Sequence, residues 1–275
     1  MKELKGRTAV VTGAGSGLGR AMALAFAREE MAIVAADVDV ESLKKVVVEI
    51  EKLGVRCASM KVDVSKEAEV QALAESVEKP YLVCNNAGVS PLGAVWENSV
   101  GDWQWILGVN LWGVIHGVRA FAPRLIAQNA GHIVNTASVA GLISPPGSGA
   151  YNVTKHAVVA LSESLHHDLR ERNSQVGVSV LCPAYVPTGI SDSERNRPKE
   201  LVASEKSKET IAREANLRKA VASGRLTADD VAKAVVDAVK NDRFYILTHP
   251  RIKGAIRARM DDILEEHPPR NPLAL

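Results

Sequence analysis

Short apolar runs of strand length alternate with longer amphipathic runs through the first two-thirds of the sequence, and this alternation constrains the fold more than any other feature. An apolar run bounded by turn residues suits a strand buried on both faces, whereas apolar residues recurring every three or four positions suit a helix laid on a sheet. Strands are predicted at Thr8 to Thr12, Ala32 to Asp37, Arg56 to Lys61, Tyr81 to Asn85, Gly131 to Thr136, Gly177 to Cys182 and Phe244 to Thr248. Helices are predicted at Gly17 to Glu29, Glu41 to Leu53, Glu67 to Glu78, Asp102 to Gln128, Ala150 to Arg172 and Ala228 to Lys240, the last capped by Thr227 with Asp230 three residues on. Strand and helix repeated in this order specify an α/β fold with a doubly wound, mostly parallel sheet and helices on both faces.

No internal repeat or low-complexity linker divides the 275 residues, so residues 1–275 are read as a single domain. Two segments depart from the alternation. Residues 188–224 are rich in charge and lack a strand, which reads as an insertion of short surface helices, and 267–275 carries three prolines, which reads as an extended tail. The 34 Lys and Arg against 32 Asp and Glu leave a net charge of +2, so neither nucleic acid nor an anionic membrane is expected as partner. Cys57, Cys84 and Cys182 are an odd number beside apolar residues, which fits reduced core thiols in the cytoplasm and no metal site. No apolar run approaches the roughly 18 residues of a membrane span, and Met1 to Gly6 has no signal-peptide pattern, so a soluble chain is expected.

The first strand runs into Thr12-Gly13-Ala14-Gly15-Ser16-Gly17-Leu18-Gly19. A turn here needs residues without a Cβ so that its backbone can approach a pyrophosphate, which the following helix meets with its N-terminal amides. Gly13, Ser16, Gly17, Leu18 and Gly19 are therefore candidate dinucleotide contacts. Asp37 closes the second strand, where a carboxylate accepts from ribose hydroxyls and repels a 2′-phosphate. Ala14, Ser16 and Val38 occupy the places where an NADP site wants Arg or Lys, so NAD is the expected cofactor. Asp63 and the turn Asn86-Ala87-Gly88 fall at carboxyl ends of parallel strands, the edge at which such sheets bind ligands.

Ser138 follows the fifth strand at the same edge, and Tyr151 and Lys155 stand four apart on one helical face. A hydroxyl and a phenol converging on one substrate oxygen can hold it and exchange its proton. At about 4 Å and an effective dielectric near 20 an ammonium contributes roughly 4 kcal/mol, about three pKa units. On that estimate Lys155 brings the Tyr151 phenol toward neutrality.

These motifs, in this order over nearly all of residues 4 to 250, make the chain similar to the classical short-chain dehydrogenase/reductase family. The resemblance implies a Rossmann-type fold and hydride transfer between a nicotinamide and an alcohol or ketone. It implies that Tyr151 is the general acid/base, that Ser138 orients the substrate oxygen, and that Lys155 binds the nicotinamide ribose while tuning Tyr151. It further implies that Asn110 holds a water linked to the lysine, that Asp63 and Val64 flank the adenine, and that Pro183, Val186 and Thr188 lie at the nicotinamide. Helices 102–128 and 150–172 usually pair across a dimer axis in that family, so a homodimer or homotetramer is expected, with Gly113 and Gly117 allowing close approach. Pro183-Ala184 stands where Pro-Gly is usual, and the stretch from Asp63 to Asn85 is a few residues short, which trims its helix.

The expected substrate is a bulky apolar secondary alcohol or ketone, met by Ser138 and Tyr151 and by a wall drawn from Val89, Leu92, Trp96, Val139, Leu142, Ile143, Tyr185 and Ile190. A catalytically idle dinucleotide-binding sensor or assembly module is the rival reading, and an epimerase or dehydratase a weaker one. An idle fold has no physical need of Asn110, Ser138, Tyr151 and Lys155 together.

Asp37→Ala combined with Val38→Arg removes the repulsion and supplies a cation for a 2′-phosphate. Specificity constants for NAD and NADP are expected to shift toward NADP in the variant, and a parent that already prefers NADP contradicts the assignment of Asp37.

Overall fold

The computed structural model describes residues 2–203 and 205–274. Met1 of the N-terminal run, Ser204 of the 188–224 segment and Leu275 of the tail lie outside the described residues. Seven strands form one sheet: β1 (Thr8–Thr12), β2 (Ala32–Asp37), β3 (Cys57–Lys61), β4 (Pro80–Asn85), β5 (His132–Thr136), β6 (Gly177–Leu181) and β7 (Tyr245–Ile246). Their order is β3-β2-β1-β4-β5-β6-β7 and every pairing is parallel. The order reverses between β1 and β4, and the crevice at that reversal, at the carboxyl ends of the strands, is where such sheets take ligands.

Helices cover both faces because β1, β4, β5 and β6 are apolar on both sides. On one face α1 (Gly17–Arg28), α2 (Val40–Glu51) and α8 (Ala228–Lys240) bury Met22, Phe26, Ile50 and Val235 against Val11 and Ile33. On the other, α3 (Glu67–Glu75), α5 (Gly113–Ala127) and α6 (Gly149–Glu171) bury Leu73, Phe121, Leu125 and Leu169 against Val10, Val83 and Ile133. The predicted cap on α8 is present, with Thr227 and Asp230 bonding reciprocally.

The predicted long helix 102–128 is present, from Val100 to Ala127, but a π turn interrupts its regular winding. Helix α4 (Val100–Leu107) ends in a wide π turn over Gly108–Trp112 before α5 begins, and Asn110 sits at the centre of that turn with its carboxamide drawn onto the Val89 backbone. Helix α3 stops at Glu75, three residues before its predicted end, because the chain must reach Pro80 at the start of β4 and Arg124 of α5 takes the carbonyls of Ala74, Val77 and Glu78. Gly113 and Gly117 face inward. A Cβ on Gly117 would fall 2.0 Å from Asn85 Oδ1 and one on Gly113 2.7 Å from Val64 Cγ2, so both serve contacts within the chain, not the expected approach between helices of two subunits.

The 188–224 segment holds a 3₁₀ stretch over Gly189–Asn196 and a full 15-residue helix, α7 (Lys208–Ala222), longer than the short helices expected. Helix α9 (Ile252–Leu264) was not foreseen, and Asp262 near its end receives Arg270 from the tail at 2.7 Å.

Candidate active site

The glycine turn is sewn to the turn after β4. Thr12 Oγ1 accepts from the backbone of Asn86 at 2.9 Å and Ala87 at 3.2 Å, and Asn86 Nδ2 donates to Thr12 O at 3.0 Å. Gly13 has a φ of +65° and leaves no room for a Cβ, which would lie 2.8 Å from Ala87 Cα. Gly19 is needed for a different contact: its Cβ would lie 2.0 Å from Gly13 O, so helix and turn could not meet. Ser16 is the N-cap of α1, yet its side chain caps no amide, which leaves the first-turn N–H groups of α1 directed at the crevice.

A single cavity of roughly 400 Å³ runs along the strand ends from Asp37 and Asp39, past Gly13, Ser16, Gly17 and Leu18, to Ser138, Tyr151 and Lys155. Its wall also includes Asp63, Val64, Asn86, Ala87, Gly88, Pro183, Val186 and Thr188. Asp37 is fixed by the Gly15 amide on one carboxylate oxygen at 2.8 Å and the Asp39 amide on the other at 2.9 Å, and each oxygen retains a lone pair for a ligand hydroxyl. Asp63 is tied into its own turn by the Ser65 hydroxyl at 2.7 Å. An elongated crevice with uncapped amides at its middle and a carboxylate at one end fits a nicotinamide dinucleotide.

At the other end, Ser138 Oγ is held between the Ala140 amide at 3.2 Å and Pro183 O at 3.3 Å. Lys155 is 3% exposed, its Nζ donates to Thr136 O at 2.8 Å and stands 5.5 Å from the Tyr151 ring centroid. Asn110 does not line the cavity. Its carboxamide pairs with Val89 through both atoms and reaches Thr154 Oγ1 at 3.3 Å, and Thr154 in turn donates to Tyr151 O at 2.8 Å, so Asn110 braces α6 from behind.

Electrostatics run against the sequence-based estimate for the phenol. Burial pushes Tyr151 up to about 12, opposed by a hydrogen bond with Ser138 that pulls it down, and burial brings Lys155 down to about 8. Desolvation is the largest influence on the phenol, because a buried hydroxyl loses the water that would stabilise its charged form. At neutral pH the site therefore holds a protonated phenol beside a charged lysine.

Two expected substrate residues are elsewhere. Leu142 is half-buried against the cluster that includes Val114, Val158 and Val180, and Tyr185 is 43% exposed outside the cavity. Leu92, Trp96, Val139 and Ile143 also miss its wall, and of the expected set only Val89 and Ile190 line it. The apolar wall comes instead from Trp105, Pro198, Leu201 and Val221. Trp105 is covered by Arg197, whose guanidinium lies 4.2 Å from the ring and 2.6 Å from the buried carboxylate of Asp102. The sequence gives no sign that Asp102 and Arg197 pair, since partners 95 residues apart leave no local pattern. The Ser99 and Asp102 capping box was the one legible signal there.

The drop in Lys155 from 10.5 to about 8 corresponds to roughly 3 kcal/mol against burying the ammonium at neutral pH. The folded state binds fewer protons than the unfolded state between these values, so stability rises with pH across that window. Lys155→Met is accordingly expected to unfold at higher urea than the parent at pH 6 to 7, with the gain shrinking between pH 8 and 10.5. Equal midpoints at pH 7 contradict the burial argument.

The short chain dehydrogenase family model matches residues 7–199. A short chain dehydrogenase/reductase from Burkholderia phymatum, crystallised in complex with NAD, is 49% identical, covers 100% of both chains and superposes with a TM-score of 0.97. The CLA biosynthesis dehydrogenase/reductase of Lactiplantibacillus plantarum is 32% identical over 279 residues, 98% of this chain and 97% of the relative. The 1-deoxy-11-beta-hydroxypentalenate dehydrogenase of Streptomyces exfoliatus is 34% identical over 267 residues, 94% of this chain and 89% of the relative. A dinucleotide crevice of this construction, within a likeness that extends along nearly the whole chain, makes the protein a member of the short-chain dehydrogenase/reductase family, an oxidoreductase that binds a nicotinamide dinucleotide.

Proposed function

We propose that the protein is an NAD-dependent alcohol dehydrogenase or ketone reductase acting on a bulky apolar secondary alcohol or its ketone. The observation that carries this reading is the meeting of Ser138, Tyr151 and Lys155 at one end of a crevice whose other end is Asp37. A likeness to an NAD complex along the full chain supports the cofactor, and a relative named for a hydroxypentalenate supports a large substrate.

Bound nicotinamide supplies the hydride acceptor or donor at its ring. Ser138 Oγ donates to the substrate oxygen and holds it at the phenol. Tyr151, protonated at neutral pH, passes its proton to that oxygen in reduction and takes it back in oxidation. Lys155, charged below about 8, stabilises the phenolate that reduction leaves and that oxidation starts from, and is placed to reach ribose hydroxyls. Trp105, Leu201 and Ile190 exclude water and present apolar surface to the rest of the substrate.

The 188–224 segment acts as the lid over this end. Free cysteines, with burial pushing Cys57 up to about 11 and Cys182 up to about 12, fit a reduced, cytoplasmic setting. Among the described residues no helix is long and apolar enough to cross a membrane. Trp112 and Val153 are each 51% exposed, Trp112 at the N-terminal edge of α5 and Val153 on α6, and offer the surface for a homodimer or homotetramer.

Secondary alcohols of increasing size, assayed with NAD at alkaline pH, test the reading. A phenyl or alicyclic ring adds roughly 100 Å² of buried apolar surface, about 2.5 kcal/mol and roughly seventyfold. The specificity constant is expected to climb from propan-2-ol to cyclohexanol and 1-phenylethanol, and Tyr151→Phe to lose nearly all turnover while still binding NADH. A preference for small polar alcohols or sugars contradicts the pocket, and no turnover with any alcohol favours the idle binding module.

A further inference from the structure

The guanidinium of Arg195 stands at the cavity wall with no carboxylate partner within ion-pair distance among the described residues. It belongs to the 3₁₀ stretch Gly189–Asn196, and its Nη1 donates to Gly189 O at 3.0 Å and Asp192 O at 2.8 Å. Two backbone carbonyls thus fix the plane of the fork. Arginine carries five N–H donors, so the group is held in place with donors left over.

Its position is bounded on two sides. Gly189 follows Thr188, whose side chain lies 3.2 Å from where a Cβ on Gly17 would stand, at the first turn of α1. On the other side is Asp39, whose carboxyl is held below the usual range chiefly by the Ser42 hydroxyl, with Arg195 adding to the effect from across the crevice. A cation placed between the uncapped amides of α1 and the carboxylates after β2 lies over the stretch of crevice that joins its nicotinamide end to its adenosine end. In a dinucleotide that stretch is the diphosphate.

We propose that Arg195 is a phosphate-binding residue contributed by the lid, closing onto the cofactor's diphosphate from the side opposite the glycine turn. The inference rests on the dinucleotide reading above. It gives the lid a ligand contact that is independent of the alcohol, so cofactor alone orders residues 189–197. The α1 amides supply donors from one side and the guanidinium supplies charge from the other, in the paired arrangement by which arginine recognises phosphate oxygens.

The test measures binding of NADH, NADPH and ADP-ribose to the parent, Arg195→Met and Arg195→Lys, with thermal unfolding as the fold control. ADP-ribose keeps the diphosphate but lacks the nicotinamide. Kd for NADH and for ADP-ribose is expected to rise about tenfold in Arg195→Met, one charge-assisted contact, and to recover in part in Arg195→Lys. Salt is expected to weaken NADH binding less in the Met variant than in the parent. Amide exchange across 189–197 slows on adding NADH to the parent and slows less in Arg195→Met. Weakening confined to NADPH overturns the diphosphate assignment and places the guanidinium at a 2′-phosphate. Unchanged affinities for all three ligands overturn the proposal and leave Arg195 as a strut for two carbonyls. Should Arg195→Met fail to fold, the Lys variant and the exchange measurement on the parent decide. A parent that binds NADPH and not NADH sinks the NAD reading instead, with the Arg195 comparison then read in NADPH and ADP-ribose.

Discussion

The ammonium of Lys155, 3% exposed and donating to the carbonyl of Thr136, ties α6 to the end of β5. Burying a cation is unfavourable unless hydrogen bonds hold it, and the chain arranges its neighbours to that end. Gly141 lets the turn after Ser138 pack on the backbone of α6, where a Cβ would fall 2.5 Å from Lys155 O. The spacing of Ser138 and Tyr151 follows from that contact. Asn110 adds a brace through Thr154 from the π turn, so three elements far apart in sequence hold one helix in register with one strand.

The same logic explains the roof. Segment 188–224 has few apolar anchors, and polar contacts hold it to the body. Arg197 pairs with Asp102, Ser193 Oγ accepts from Ser90 N at 3.0 Å, and Glu97 accepts from Thr210 Oγ1 at 2.9 Å. A buried ion pair contributes little net stability, yet breaking it leaves an uncompensated charge, so such a pair specifies where the segment sits more than how tightly. Arg197 over Trp105 also fixes the face that Trp105 turns to the cavity. The arrangement suits the proposed function, in which this wall meets a large apolar group and still releases it.

The features legible in the sequence were those with a local physical cause. Glycines at 13, 17 and 19 are required by backbone approach, Asp37 by its place at a strand end, and Tyr151 and Lys155 by helical spacing; all but Gly19, which packs against the Gly13 backbone, line one crevice. Apolar periodicity located the seven strands to within a few residues, because each is buried on the faces it presents. The substrate wall was not legible. Leu142 and Tyr185 follow the right strands, but a residue's neighbours along the chain do not say whether it turns toward a cavity or into the core. Trp105 and Arg197 meet only through the tertiary fold. The direction of the phenol's shift was illegible for the same reason, since the assumed spacing to the ammonium took no account of desolvation, which is here the largest influence.

Transfer of hydrogen from a carbinol carbon to the nicotinamide is the central step of the proposed function. Secondary alcohols deuterated at that carbon, 1-phenylethanol among them, allow it to be followed directly by mass spectrometry of the reduced cofactor. One deuterium per turnover, carried to NADH by the parent and lost with turnover in Tyr151→Phe, is the predicted result. Consumption of the alcohol with its deuterium released to solvent, or with no deuterium in the cofactor, would contradict the account.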